Sequence, residues 1–204
     1  MMPRLRRCGH LAVALGLALG LALCLSAASA AAQDAAPVPE QDDVAIYRAV
    51  LAPEVDDYVR RRVIQRTTEP VMDLPAEGLS VVRRLAMHAP GLPGLDTSTV
   101  RAFLALHREV VDLPDLGDTT LSWVSDDEWR SLVRTAQGWS TFFDRYPESG
   151  GVTLLSRIAY SADGSQALTY VARVCPLCGG SDYFLLSCVN GQWRIIARVE
   201  DWRS

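Results

Sequence analysis

The sequence predicts an α+β domain, with N-terminal helices packed on a C-terminal antiparallel β-meander. Three observations carry this. Apolar residues recur at helical spacing before Pro147, turn signals at short intervals divide the remainder into strands, and Asn190-Gly191 is the strongest short hairpin signal a sequence carries.

The chain opens on an address. Arg4, Arg6 and Arg7 precede an apolar run from Leu11 to Leu25, and Ala28-Ser29-Ala30-Ala31-Ala32 follows, so residues 1–32 read as a secretory signal peptide cut after Ala30 or Ala32. The apolar run is shorter than the roughly twenty residues a membrane helix needs. A lipoprotein signal would use Cys24, but Leu23 stands where Gly, Ala or Ser is expected. The expected location is therefore the periplasm or the outside of the cell. Residues 33–41, rich in Ala, Pro and acid, read as a flexible lead-in, and 42–204 as one domain. All 20 basic residues are Arg; three lie in the leader, leaving 17 against 24 acidic residues, a net of −7. That balance argues against nucleic acid and anionic membrane as partners.

Asp42 or Asp43 is expected to cap a helix burying Val44, Ile46, Tyr47, Val50 and Leu51, stopped by Pro53. Tyr58 to Thr68 fits either period, its β-branched content favouring a strand, with Arg60-Arg61-Arg62 read as charge protecting a solvated edge. Gly78 to His88 predicts a short helix. After Asp96 and Thr97 as capping residues, Val100, Phe103, Leu104, His107, Val110 and Val111 recur at helical spacing. Thr119 to Val124 reads as a strand. Ser125-Asp126-Asp127-Glu128 forms a capping box, which accounts for an otherwise catalytic-looking carboxylate cluster. The helix it starts buries Trp129, Leu132, Val133 and Ala136, weakens at Gly138, and continues or restarts to Pro147.

Strands are expected over Val152 to Tyr160, Gln166 to Val174 and Asp182 to Val189, the first two joined at Asp163-Gly164. A two-residue Asn190-Gly191 turn sets Val189 opposite Gln192, Cys188 opposite Trp193, Leu186 opposite Ile195 and Phe184 opposite Ala197. That register places Phe184, Leu186, Cys188, Trp193, Ile195, Ala197 and Val199 on one apolar face, with Leu185 and Ile196 as exceptions.

Three cysteines follow the leader. Cys188 lies about seven residues beyond the Cys175–Ser181 loop, about 20 Å along a strand at roughly 3.3 Å per residue, whereas a disulfide needs Cα atoms within about 7 Å. The expectation is a Cys175–Cys178 bridge and a free, buried Cys188. Cys175-Pro176-Leu177-Cys178 also fits a redox dithiol, but it falls between strands and Gly179-Gly180 cannot start the helix that lowers a thiol pKa. Metal would need further ligands, and His88 and His107 are the only histidines beyond the leader, so neither metal nor cofactor is expected. His107, on the apolar helix face, reads as a hydrogen-bonded core residue. No phosphate-binding glycine loop, Gly-x-Ser-x-Gly elbow or His-Glu-x-x-His motif is present, so nothing in the sequence supports catalysis.

From Trp139 onward the motifs are Trp139-x-x-Phe142, Tyr146-Pro147-x-Ser149-Gly150, Leu155-Ser156-Arg157, Ala167-Leu168-x-Tyr170-Val171, Cys175-x-x-Cys178-Gly179 and Asn190-Gly191-x-Trp193. Over this third of the chain the sequence resembles a group of exported bacterial proteins of unknown function, with looser likeness at Ile46-Tyr47 and Thr67; the resemblance brings no activity. The closing strand-turn-Gly-x-Trp is similar to NTF2-like domains, which implies helices packed into a curved antiparallel sheet around a conical pocket. In that setting Trp139, Tyr170, Trp193 and His107 are the candidate lining of a small-ligand pocket. The functional expectations are thus an exported, non-catalytic binding module for an envelope protein or small ligand, an NTF2-like pocket that binds or transforms a ligand, and a thiol-redox protein.

Overall fold

A computed structural model describes residues 41–52, 61–71, 80–134 and 137–204. The leader, most of the lead-in, Pro53, Tyr58 to Arg60, and the Gly78 start of the second expected helix lie outside the described residues. The elements are α1 (Gln41–Val50), β1 (Arg61–Gln65), α2 (Val81–His88), α3 (Thr97–Leu106), β2 (Leu121–Val124), α4 (Asp126–Val133), α5 (Gly138–Arg145), β3 (Ser149–Leu155), β4 (Ala159–Tyr160), β5 (Gln166–Val174), β6 (Gly180–Val189) and β7 (Gln192–Arg203). The class is α+β, and no helix among the described residues is long and apolar enough to cross a membrane.

The seven strands form one sheet of order β2-β1-β3-β5-β6-β7, with β4 beside β5. From β3 onward neighbours are antiparallel, as a meander requires, but β1 runs parallel to both β2 and β3. A parallel pair needs a long crossover, and residues 66–120, carrying α2 and α3, supply it. β1 is consequently interior, not the charged edge expected from its arginines; β2 and β7 are the edges of the main path. Val63, Ile64 and Gln65 are buried, and Arg61 reaches out to donate from Nε to Ser122 Oγ at 2.8 Å.

Helices cover both faces. On one, Ile46, Tyr47 and Val50 of α1, with Leu51 just beyond its end, pack with Ile64, Leu155, Phe184 and Leu186. On the other, Val81, Leu85 and Phe103 of α2 and α3 pack with Leu168, Tyr170, Tyr183 and Leu185, and Trp129, Phe142 and Tyr146 pack with Val63, Val152 and Leu154. α1 already includes Asp42 and Asp43, so neither is its cap; Asp43 Oδ1 accepts from Tyr160 Oη at 2.5 Å. α3 is capped by Asp96, which accepts from Ser98 N, but it ends at Leu106, leaving Val110 and Val111 exposed beyond it. Ser125 caps α4 as expected. The Glu128 carboxylate, however, accepts from Tyr146 Oη at 3.0 Å and pairs with Arg145. Gly138 begins the separate helix α5.

The strand expected over Val152 to Tyr160 breaks at Ser156. There the serine Oγ takes the place of a backbone carbonyl, accepting from Tyr170 N at 2.9 Å, while Ser156 O turns to accept from Tyr47 Oη at 3.0 Å. Gly151, at φ 107°, lies in the bulge of β3 against β1, a backbone angle glycine adopts readily, and a Cβ there would lie 2.2 Å from Val174 O on the other side.

The Asn190-Gly191 turn and the pairing Val189/Gln192 to Leu186/Ile195 stand as expected. Beyond that the register shifts. Ile196 is an extra, half-exposed residue, so Phe184 faces Arg198 and Leu185 faces Ala197. The single apolar face inferred from strict alternation is therefore two: Phe184, Leu186, Trp193 and Ile195 face α1, whereas Ala197 and Val199 face α2 and α3. A second shift makes Asp201 an extra residue between Glu200 and Trp202. Cys188 is free and opposite Trp193, but half-buried rather than buried, because it lies next to the hairpin end.

Two outcomes follow. Phe184→Ala should cost about 3–5 kcal/mol in urea unfolding, as large-to-small core changes do, while Ile196→Ala should stay within about 0.5 kcal/mol; equal costs would refute the bulge. Asp163 accepts from Ser161 Oγ, Ser165 N and Ser165 Oγ, which hold its pKa down from 3.8 to about 2. A depressed carboxylate stabilises the fold above its unfolded pKa and loses that contribution as pH falls through the folded value. Acid titration of the unfolding free energy should thus fall less between pH 3.8 and about 2 in Asp163→Asn than in the unaltered chain.

Candidate functional site

The most concentrated buried polar chemistry lies on the α2 side of the sheet. Ser80 caps α2 by accepting from Arg83 N, and the helical repeat then sets Arg84 and His88, four residues apart, above one another. Both meet Asp201. As an extra residue at a bulge, Asp201 is aimed inward, and its side chain is 1% exposed. Its Oδ2 pairs with Arg84 Nη1, a side chain 4% exposed, and its Oδ1 lies 3.0 Å from His88 Nε2. A carboxylate only accepts, so the facing imidazole nitrogen carries the hydrogen.

Tyr170 of β5 completes the cluster, with its Oη 2.8 Å from Asp201 Oδ2 and 2.6 Å from Ser181 Oγ. A phenol has one proton, so Ser181 donates to Tyr170 and Tyr170 donates to the carboxylate. Burial chiefly pushes the Tyr170 hydroxyl up to about 12, the nearby Asp201 charge reinforcing it, so the phenol stays protonated as a donor. Burial likewise raises Tyr183, again with Asp201. For Arg84 burial works against the charge, but Tyr183, Asp201 and Tyr170 outweigh it and the pKa rises. The guanidinium also stands 6.0 Å over the Tyr170 ring.

Beside this cluster is a cavity of about 140 Å³, lined by Glu69, Pro70, Val71, Arg84, Leu154, Ser156, Tyr170, Ala172 and Trp202. Its polar groups are tied into the protein. Ser156 Oγ donates to Arg157 O, and Glu69 accepts from both Arg130 and Gln65, the latter held by Trp129 Nε1 at 2.6 Å. What the wall offers a ligand is mainly the apolar surface of Pro70, Val71, Leu154, Ala172 and Trp202.

Of the four aromatic and imidazole residues expected to line one pocket, only Tyr170 is at this cavity. Trp139 packs with Phe142 and Phe143, Trp193 meets Tyr160 at 5.8 Å, and His107 closes α3 with Nδ1 2.8 Å from Leu104 O and its ring 6.3 Å from Phe103. Cys175 and Cys178 are bonded in the β5–β6 loop and are not among the residues lining the cavity. The cluster of Arg84, His88 and Asp201 has no local signature in the sequence, because Asp201 turns inward only through the register shifts of β7; the i,i+4 spacing of Arg84 and His88 is the one signal the sequence offers. Among the described residues no three His, Cys, Asp or Glu side chains converge as metal ligands. No protein-family model, curated protein or solved structure matches this chain.

Tyr170→Phe keeps the ring and removes the link between Ser181 and Asp201. It should cost about 1–3 kcal/mol of unfolding free energy, the effect of leaving buried polar groups without a partner. A neutral substitution would mean the hydroxyl is dispensable to the cluster.

Proposed function

We propose that the chain is an exported, non-catalytic binding module whose cavity beside Tyr170 takes a small, largely apolar ring. Export rests on the leader sequence, and the resemblance to exported bacterial proteins agrees with it. The observation that supports the ligand is the cavity itself: about 140 Å³, apolar in its wall, with its polar groups already engaged by protein partners. A cavity of about 150 Å³ lined by apolar side chains takes up benzene, so a ligand of about six non-hydrogen atoms fits. The Arg84–Asp201–His88 cluster serves this reading as a scaffold: it fixes α2, which carries one wall, against β7.

The probe is a panel of benzene, toluene, phenol and indole in thermal unfolding. A ligand at a hundred times its Kd contributes about 2.7 kcal/mol, which in a chain of this size raises Tm by about 5–10 °C. At least one compound should raise Tm of the unaltered protein and leave Ala172→Leu, whose side chain grows into the cavity, unmoved. Ala172→Val serves should the leucine unfold the chain. No shift with any compound, or equal shifts in the variants, would contradict the proposal.

A further inference from the structure

The Cys175–Cys178 bridge closes a short ring in the β5–β6 loop, with its Cα atoms 5.3 Å apart. The outer side of that ring faces solvent: Cys178 is exposed, and Leu177 is 92% exposed. Its inner side is fixed, because a Cβ on Gly151 of β3 would lie 2.9 Å from Cys175 Cβ. One end of the bridge is thus anchored on the sheet and the other lies in water.

Immediately after Cys178 the chain grips the end of β7. Gly179 N donates to Ser204 Oγ at 2.9 Å, and Ser204 N donates back to Gly179 O at 3.0 Å. Gly179 is buried directly against the Trp202 indole, where a Cβ would lie 2.8 Å from Trp202 Cη2. Ser181, two residues on, pairs with Trp202 in the β6–β7 ladder. Trp202 is in turn a wall of the apolar cavity. The bridge, Gly179, Trp202 and the cavity therefore form one continuous line of contacts.

We infer that the bridge is a thiol-exchange site, and that opening it frees Gly179 from Trp202 and loosens the cavity wall. The co-reactant is a dithiol. One of its thiolates attacks the exposed Cys178 Sγ, the S–S bond breaks, and Cys175 leaves as a thiolate that takes up a proton. The second thiol of the reductant then displaces Cys178 from the mixed disulfide. The reductant departs as a disulfide, and the chain has gained two electrons and two protons as two thiols. Exposure favours this course, since exposed bridges are the more easily reduced ones. With the ring open, Cys178 is no longer tied to the anchored Cys175, and residues 176–179 regain the freedom that closure removed. The effect on ligand uptake rests on the cavity binding a ligand, as proposed above.

Treatment of the purified, folded protein with dithiothreitol, then maleimide labelling and mass spectrometry, reads the exchange. Cys175 and Cys178 should both take a label after reduction and neither before it. Amide hydrogen exchange reads the consequence without any ligand: on reduction residues 199–204 should exchange about tenfold faster or more, while β5, inside the sheet, should not change. The double variant Cys175→Ser, Cys178→Ser should exchange like the reduced protein and ignore the reductant. Cys188→Ser, which removes the free thiol, should respond as the unaltered chain does. Reduction of the unaltered chain carries the reading should the double variant fail to fold. The Tm shift caused by toluene, compared in the two redox states, separates this inference from the cavity reading. A shift that changes on reduction supports the link, and an equal shift in both states overturns it. No shift in either state contradicts the cavity reading alone, and labelling and exchange then decide the site. A bridge that stays intact in dithiothreitol, or exchange at 199–204 that reduction leaves unchanged, overturns the inference.

Discussion

Asp201 is a carboxylate that water cannot reach, placed near the end of an edge strand and surrounded by Arg84, His88 and Tyr170. Removing one partner of such a buried pair costs about 3–5 kcal/mol, although an apolar replacement of the whole cluster could be as stable. Its distinctive effect is therefore positional. The carboxylate accepts from α2 on one side and from β5 on the other, so the helix can dock on the sheet in one register only. The neighbouring turn adds a steric stop: a Cβ on Gly91 would lie 2.7 Å from Val199 Cγ2. Because Arg84 belongs both to the cluster and to the cavity wall, whatever loosens Asp201 also changes the cavity.

The same strand shows how a sheet can serve two faces. With strict alternation β7 would offer one apolar side, and either α1 or the α2–α3 layer would lack its share of contacts. The extra residue Ile196 transfers Ala197 and Val199 to the second layer, and the extra residue Asp201 turns an acid inward. Parallel β1 answers the same need at the other end, since Val63 and Ile64 are buried on opposite faces.

Local chemistry made much of this legible. Asp96, Ser125, Asp163-Gly164 and Asn190-Gly191 act through bonds or backbone angles within a few residues, and their caps and turns stand where the sequence put them. Leu168, Tyr170 and Ala172 alternate along β5, and that period puts them together on the face covered by α2 and α3. What the sequence concealed depends on distant partners. Arg62 looks like an edge charge until β2 is known to pair beyond it. Asp201 looks solvated until two bulges accumulate along β7. Tyr170 reads from the sequence as a candidate pocket residue, but not as the donor that joins Ser181 to Asp201.

The Arg84–Asp201 contact couples helix α2 to the sheet. A double-mutant cycle with Arg84→Met, Asp201→Leu and the double variant, read by urea unfolding, measures it directly. Each single change leaves one buried charge behind, so the expected coupling is at least about 2 kcal/mol, with the double variant more stable than either single one. Additive costs, with coupling near zero, would contradict it and leave α2 held by its apolar contacts alone.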